Sequence, residues 1–186
     1  MKRVCIYCGS SAGNSESYAK AVATLSERLV DHNLELVYGG GKIGLMGVAA
    51  DAALARGGSV TGVIPEALMD LEVGHTGLTT LHIVKDMHER KAMMAQLSDA
   101  FVALPGGWGT LEELFEAMTW LQLGIHDKPC ALFNIDGYYD ALIEFLRNAN
   151  TSGFVKTHHS DMLIHAKDPD TLIERMSQFR VSGSDT

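Results

Sequence analysis

Apolar residues alternate between two periods along this 186-residue chain. Short runs at residues 3–7, 34–38, 59–64, 81–85, 100–104, 130–134 and 162–165 are apolar almost throughout, the pattern of strands buried on both faces. Between them, residues 17–32, 45–56, 87–97, 111–123, 138–150 and 169–179 repeat apolar positions every three or four residues, which predicts helices. Gly57 and Gly58 stop the second of these, and Asp168 with Pro169 opens the last. Regular alternation of strand and helix predicts an α/β fold: a doubly wound parallel sheet with helices on both faces. Neither an internal repeat nor a second zone of composition interrupts it, so a single domain is expected over residues 1–180, followed by a flexible tail at 181–186. Residues 66–80 form the longest connection without periodicity, and such connections more often carry function than fold.

In an open parallel sheet, ligands sit beyond the carboxyl ends of the strands. Three glycine-rich segments fall there. Cys8, Gly9, Ser10, Ser11, Ala12 and Gly13 follow the first strand and offer free N–H groups and hydroxyls for a phosphate or a ribose, or else form an ordinary turn with serine capping. After the second strand, Gly39, Gly40 and Gly41 lead to Gly44, a GxGxxG spacing with Glu66 at the remove of a ribose-binding acid. Its place after the second strand, not the first, favours anion or ribose binding over a nicotinamide cofactor. The third segment, PGGWGTLEE from Pro105 to Glu113, ends the strand at 100–104 and opens a helix. Gly106, Gly107 and Gly109 allow close approach of backbone to an anion, Trp108 stands among them, and Thr110 adds a hydroxyl. With no lysine after the last glycine it is not a P-loop.

Glu113 is a candidate catalytic carboxylate, but Thr110 with Glu113 also fits an S/T-x-x-E capping box, and both roles can hold together. Glu112 and Glu116, one helical turn apart, border the same crevice or face water. In the segment Asp86–Met87–His88–Glu89–Arg90–Lys91, Asp86 and Glu89 fit a helix start. Arg90 either pairs with Asp86 one turn back or serves as a fixed charged fork for a nucleotide, and Lys91 is either a solvated charge or a ligand contact.

Composition narrows the partners. A net charge of −8 and a pI near 5.4 repel polyanions, so nucleic acid is not expected. No apolar run reaches membrane-spanning length, and the N-terminus turns strand-like too soon for a signal peptide. Cys5, Cys8 and Cys130 cannot close a disulfide framework, which agrees with a cytoplasmic protein. The CxxC of Cys5 and Cys8 lacks a second pair, so two small residues on a buried strand are expected in place of a metal or redox centre. The eight histidines show no metal-ligand spacing.

Taken together, CGSS, GGGKIGLMG, DMHERK and PGGWGTLEE resemble the Lonely Guy family of cytokinin riboside 5′-monophosphate phosphoribohydrolases, once widely labelled lysine decarboxylases; WLQLGIHDKP and NIDGYYD extend the likeness to nearly the whole chain. The resemblance implies a Rossmann-like fold and hydrolysis of the N-glycosidic bond of a purine nucleoside 5′-monophosphate, N6-prenylated or plain AMP, to free base and ribose 5-phosphate. It implies catalytic roles for Arg90 and Glu113, and a nucleotide site lined by Glu72, Lys91, Gly106, Gly107, Trp108, Gly109, Thr110, Leu111, Glu112 and Thr119. Ser10, Gly40, Gly41 and Glu116 are expected beside them. No metal or organic cofactor is expected. Decarboxylation of lysine would need a lysine bonded to pyridoxal phosphate, and neither Lys42 nor Lys91 has such a setting. A homodimer is implied, with the Met87, Met93, Met94 segment as interface or core. The rival reading is a non-catalytic nucleotide carrier of the kind represented by molybdenum-cofactor carriers.

Overall fold

The computed structural model describes residues 1–69 and 73–181. In chain order its elements are β1 (Arg3–Tyr7), α1 (Glu16–Asp31), β2 (Glu35–Tyr38), α2 (Gly44–Ala55), β3 (Val60–Pro65), β4 (Thr80–Val84), α3 (Met87–Leu97), β5 (Ala100–Ala103), α4 (Trp108–Gln122), β6 (Cys130–Phe133), α5 (Asp140–Thr151), α6 (Thr157–Ser160), β7 (Leu163–Ala166) and α7 (Pro169–Gln178). All seven strands pair in parallel in the order β4-β3-β2-β1-β5-β6-β7. The chain winds outward from β1 to β4, then returns to place β5 against β1. The doubly wound parallel sheet expected from the alternation is therefore present, and its reversal lies between β1 and β5.

Period-two alternation assigns the two faces of the sheet. Val4, Ile6, Leu36, Tyr38, Val102 and Leu104 point into one core with Val22, Leu25 and Leu29 of α1, Ala49 and Ala53 of α2, and Leu172 and Met176 of α7. Cys5, Tyr7, Val37 and Phe101 point the other way, against Met94 of α3 and Ala117 and Leu121 of α4. Ala103, Leu114, Leu132 and Tyr139 continue that second layer toward α5. Met94 is thus core, and Met93 packs beside it, while Met87 is partly exposed. Of the methionine segment, Met94 and Met93 therefore serve the core.

Helix starts follow local chemistry. Ser15, Asp86 and Asp168 cap α1, α3 and α7 by accepting from Ser17, Glu89 and Thr171 N–H groups. The main departure from the sequence pattern is α4, which begins at Trp108, three residues before its periodicity. Gly107 occupies the N-cap with no side-chain cap, so Thr110 lies inside the first turn and cannot cap with Glu113. The capping-box alternative for Glu113 is thereby overturned. Glycine and threonine hide helix in the pattern because they are weak helix formers, yet a first turn tolerates both. The four-residue α6 and the 3₁₀ turns at Glu66–Leu68 and Ile135–Gly137 are too short to register as periodicity. Glu72 and tail residues 182–186 lie outside the described residues.

Candidate functional site

Where β1 and β5 part, their loops interlock. The Gly9 N–H donates to the Pro105 carbonyl (3.1 Å), and the Leu45 N–H at the head of α2 donates to the Gly9 carbonyl (3.1 Å). All three glycine-rich segments therefore meet at one end of the sheet. Gly106 can only be glycine here, because a Cβ would stand 2.1 Å from Thr110 Oγ1 and 2.8 Å from Gly9 N. The bend is propped from behind by two tyrosines: Tyr139 Oη donates to the Leu104 carbonyl and Tyr138 Oη to the Gly106 carbonyl, both at 2.6 Å.

The loops enclose an open cleft of about 220 Å³ lined by Ile6, Cys8, Gly9, Ser10, Gly39, Met46, Met87, Arg90, Gly107, Trp108, Gly109, Thr110, Glu112 and Glu113. One wall is the N-terminus of α4, whose unpaired N–H groups favour an anion. Trp108, 90% exposed, forms the lip. Ile6, Met46 and Met87 supply an apolar wall.

Arg90 reaches the cleft floor from α3 and is only 6% exposed. Its Nε donates to the Val63 carbonyl (3.2 Å) and its Nη2 to the Gly39 carbonyl (2.9 Å). Asp86, the intrahelical partner weighed for it, instead accepts from the Glu89 N–H at 2.9 Å. Burying a guanidinium costs several kcal/mol unless its donors are satisfied, so the fold holds this charge at the cleft by design of its backbone. Glu113 faces the same interior. Burial chiefly pushes the Cys5 thiol and the Tyr7 phenol well above their ordinary ranges, with the Glu113 charge adding to it at Cys5, and Cys5 followed by Glu113 adding to it at Tyr7. Both groups therefore stay protonated beside the carboxylate.

Lys91, next along α3, does not itself line the cleft but joins α3 to α4 by pairing with Glu112, which does, and with Glu116 (3.1 Å). Burial pulls its ammonium down, but the two carboxylates outweigh that and raise it above its ordinary value. It is neither a solvated charge nor a free amine.

The structure thus brings together Ser10, Gly107, Trp108, Gly109, Thr110, Glu112, Glu113 and Arg90. Gly40 and Gly41 are buried in the loop behind Gly39. Leu111 packs against the Ala103 and Tyr139 cluster, with its N–H taken by the Gly107 carbonyl. Thr119 lies farther along α4, in a separate apolar groove with Phe115 and Met118. Sequence reasoning missed Met46, which reads as helix core, and the prop from Tyr138 and Tyr139, whose only signal was the NIDGYYD stretch.

The sequence model of a family described as "Possible lysine decarboxylase" matches residues 46–176. Two Arabidopsis thaliana proteins named cytokinin riboside 5′-monophosphate phosphoribohydrolase are each 48% identical, one over 179 residues (96% of this chain, 78% of that protein) and one over 178 residues (96% and 84%). Among solved structures, the molybdenum cofactor carrier protein of Chlamydomonas reinhardtii superposes with a TM-score of 0.72, covering 95% of this chain and 96% of that one at 20% identity. That last likeness concerns the fold alone.

Proposed function

We infer the reaction from a premise the relatives establish: the chain belongs to the family of cytokinin riboside 5′-monophosphate phosphoribohydrolases, the same family whose sequence model carries the lysine decarboxylase description. It is an N-glycosidic hydrolase that splits a cytokinin riboside 5′-monophosphate into free base and ribose 5-phosphate. The observation that supports this most directly is the convergence of Arg90 and Glu113 on one cleft whose wall is a glycine-rich helix N-terminus. The 5′-phosphate sits on the N–H groups of residues 107–109, which the Gly106 bend opens to it. Positive charge develops on the ribose as the bond from C1′ to the base nitrogen lengthens, and the Glu113 carboxylate stabilises that charge and accepts a proton from the attacking water. The water oxygen bonds to C1′, the bonding pair leaves with the base, and a proton returns to a base nitrogen. Arg90 anchors the nucleotide and offsets charge on the departing base. Remote phosphate binding fixes the geometry for this step.

Lysine decarboxylation does not suit these residues. A Schiff base starts from an unprotonated amine, whereas Lys91 is held charged between two carboxylates and Lys42 is solvent-exposed; among the described residues no lysine lines the cleft. The rival carrier reading leaves Arg90 and Glu113, which line one cleft, without a task. Incubating the protein with isopentenyladenosine monophosphate and with AMP, and following free base by chromatography, tests the assignment. Base release is expected, and release from neither substrate would overturn it.

The homodimer implied by the family resemblance is assigned to the face of α4 and α5. There Phe115, Met118, Leu146, Val155 and Leu163 line an apolar groove of about 230 Å³, and Phe145 and Phe154 stand exposed nearby. Sedimentation should find a dimer that Phe145→Asp with Phe154→Asp weakens. A wild-type monomer at micromolar concentration refutes the assignment. Among the described residues no helix is long and apolar enough to cross a membrane; we assign the protein to the cytoplasm, in keeping with a set of three cysteines that forms no disulfide framework.

A further inference from the structure

His75 is a buried imidazole that the reaction above does not use; it is 4% exposed. Its Nδ1 accepts from the Gly77 N–H (3.1 Å), which makes Nε2 the protonated nitrogen, donating to Asp51 Oδ1 on α2 (2.9 Å). The backbone on either side of it pairs with the glycine loop after β2. Lys42 N–H donates to the Val73 carbonyl (3.0 Å), His75 N–H donates to the Gly40 carbonyl (2.9 Å), and Gly41 and Gly74 form an isolated antiparallel bridge. One peptide earlier, the Gly39 carbonyl accepts from Arg90 Nη2 at 2.9 Å. Gly40 itself holds a φ of 78°, where a glycine backbone is free to swing unless something holds it.

We propose that His75 is a positioning residue for Arg90. The imidazole ties residues 73–77 to α2 through Asp51. The tied segment then pins the Gly40 carbonyl, and with it the direction in which the neighbouring Gly39 carbonyl presents itself to the guanidinium. Asp51 lies at the solvent end of this chain, its side chain 64% exposed, and His75 at the buried end. A purely structural histidine would need only burial and one partner. This one spans two elements and ends, three bonded steps away, on the arginine of the cleft. The inference rests on Arg90 acting in the cleft as proposed above.

The test compares His75→Ala, His75→Gln and Asp51→Ala, each alone and combined with Arg90→Lys, for kcat, KM and melting temperature with isopentenyladenosine monophosphate. Misplacing a reacting group by about 1 Å costs on the order of 100-fold, so His75→Ala is expected to lower kcat by about 10- to 100-fold, with KM raised as well because Arg90 also anchors the nucleotide. His75→Gln keeps a donor within reach of Asp51 and should recover most of that loss. In the Arg90→Lys background, assayed at enzyme concentrations that keep residual turnover measurable, the His75 and Asp51 changes should add less than about twofold, because they act through the residue already replaced. If His75→Ala does not fold, Asp51→Ala still decides the question, since it alters only the exposed end and should lower kcat by a smaller factor in the same direction. Wild-type kcat in Asp51→Ala, or full multiplication of the His75 loss with that of Arg90→Lys, would overturn the inference. So would a lowered melting temperature with unchanged turnover of the folded enzyme. Turnover by wild type and its loss in Arg90→Lys are read first; failure of either condemns the assigned reaction or the role of Arg90, separately from the His75 result.

Discussion

Replacing Gly39 by alanine isolates the part Arg90 plays. A Cβ at this position would lie 1.9 Å from Arg90 Nη2 and 3.0 Å from its Cζ. Gly39 is not among the glycines with positive φ, so alanine can adopt its backbone conformation and the effect is steric alone. To regain an ordinary contact of 3.4 Å, Nη2 must retreat by about 1.5 Å. The guanidinium has little room for this, being buried, bonded to the Val63 carbonyl and against Met87 Sδ at 3.6 Å. Losing the charged bond to the Gly39 carbonyl costs about 1.5–3 kcal/mol of stability, less whatever the side chain recovers by finding a new partner. Activity should suffer more: a shift above 1 Å at a reacting group costs on the order of 100-fold, or about 2.7 kcal/mol of barrier. The assay is release of free base from isopentenyladenosine monophosphate, with melting temperature measured in parallel. A folded Gly39→Ala enzyme with turnover within twofold of wild type would show that the guanidinium need not sit where the structure holds it.

Other consequences are open to direct measurement. Because α4 starts at Trp108 without a side-chain cap, Glu113→Gln should leave the melting temperature near wild type while lowering kcat by about 100- to 10,000-fold, the range for loss of a positioned acid or base. Near-wild-type turnover in Glu113→Gln, with a lowered melting temperature in Glu113→Ala, would restore the capping role, because glutamine keeps a capping-box geometry that alanine loses. Tyr138→Phe removes the 2.6 Å bond to the Gly106 carbonyl at the surface and should raise KM severalfold with a stability loss of about 1 kcal/mol; unchanged KM would show that the phosphate bend stands unaided. Acid should destabilise the fold through three aspartates. The Glu89 N–H lowers Asp86, the Thr171 N–H lowers Asp168, and at Asp99 burial pushes upward but the Arg3 and Lys2 N–H groups pull further down. With folded values below the ordinary 3.8, their stabilisation is complete above that pH and is lost as pH falls through the folded values. Melting temperatures between pH 5 and about 2.5 should fall most steeply at the acid end, and Asp168→Asn should flatten the slope; an unchanged slope would exclude that cap.

Legibility differed by feature. Strands β1, β5 and β6 were plain because they are apolar on both faces, a pattern only a covered parallel strand needs. Helix α3 was placed to the residue, since Asp86 caps it and the apolar period runs to Leu97. The start of α4 was not, because Trp108, Gly109 and Thr110 carry no period. Arg90 shows the same limit at the site. Its sequence neighbour Asp86 offered an ion pair at one helical turn, and nothing in the local pattern reveals that carbonyls 27 and 51 positions away compete for the guanidinium and win.

The PGGWGTLEE segment and the alternation of periods were enough to determine a doubly wound sheet, a glycine-rich strand end that opens a helix and a carboxylate just beyond it. Those features depend on backbone freedom and on spacing along one element, which sequence carries directly. Tertiary structure alone decided which side chains share the cleft. It tied Lys91 into an α3–α4 ion pair, left Leu111 to the core and Thr119 to a different groove, and linked His75 to the glycine loop. Each of these outcomes turns on contacts between elements distant in the chain, where burial, charge and hydrogen-bond demand are settled only once the sheet has brought the elements together.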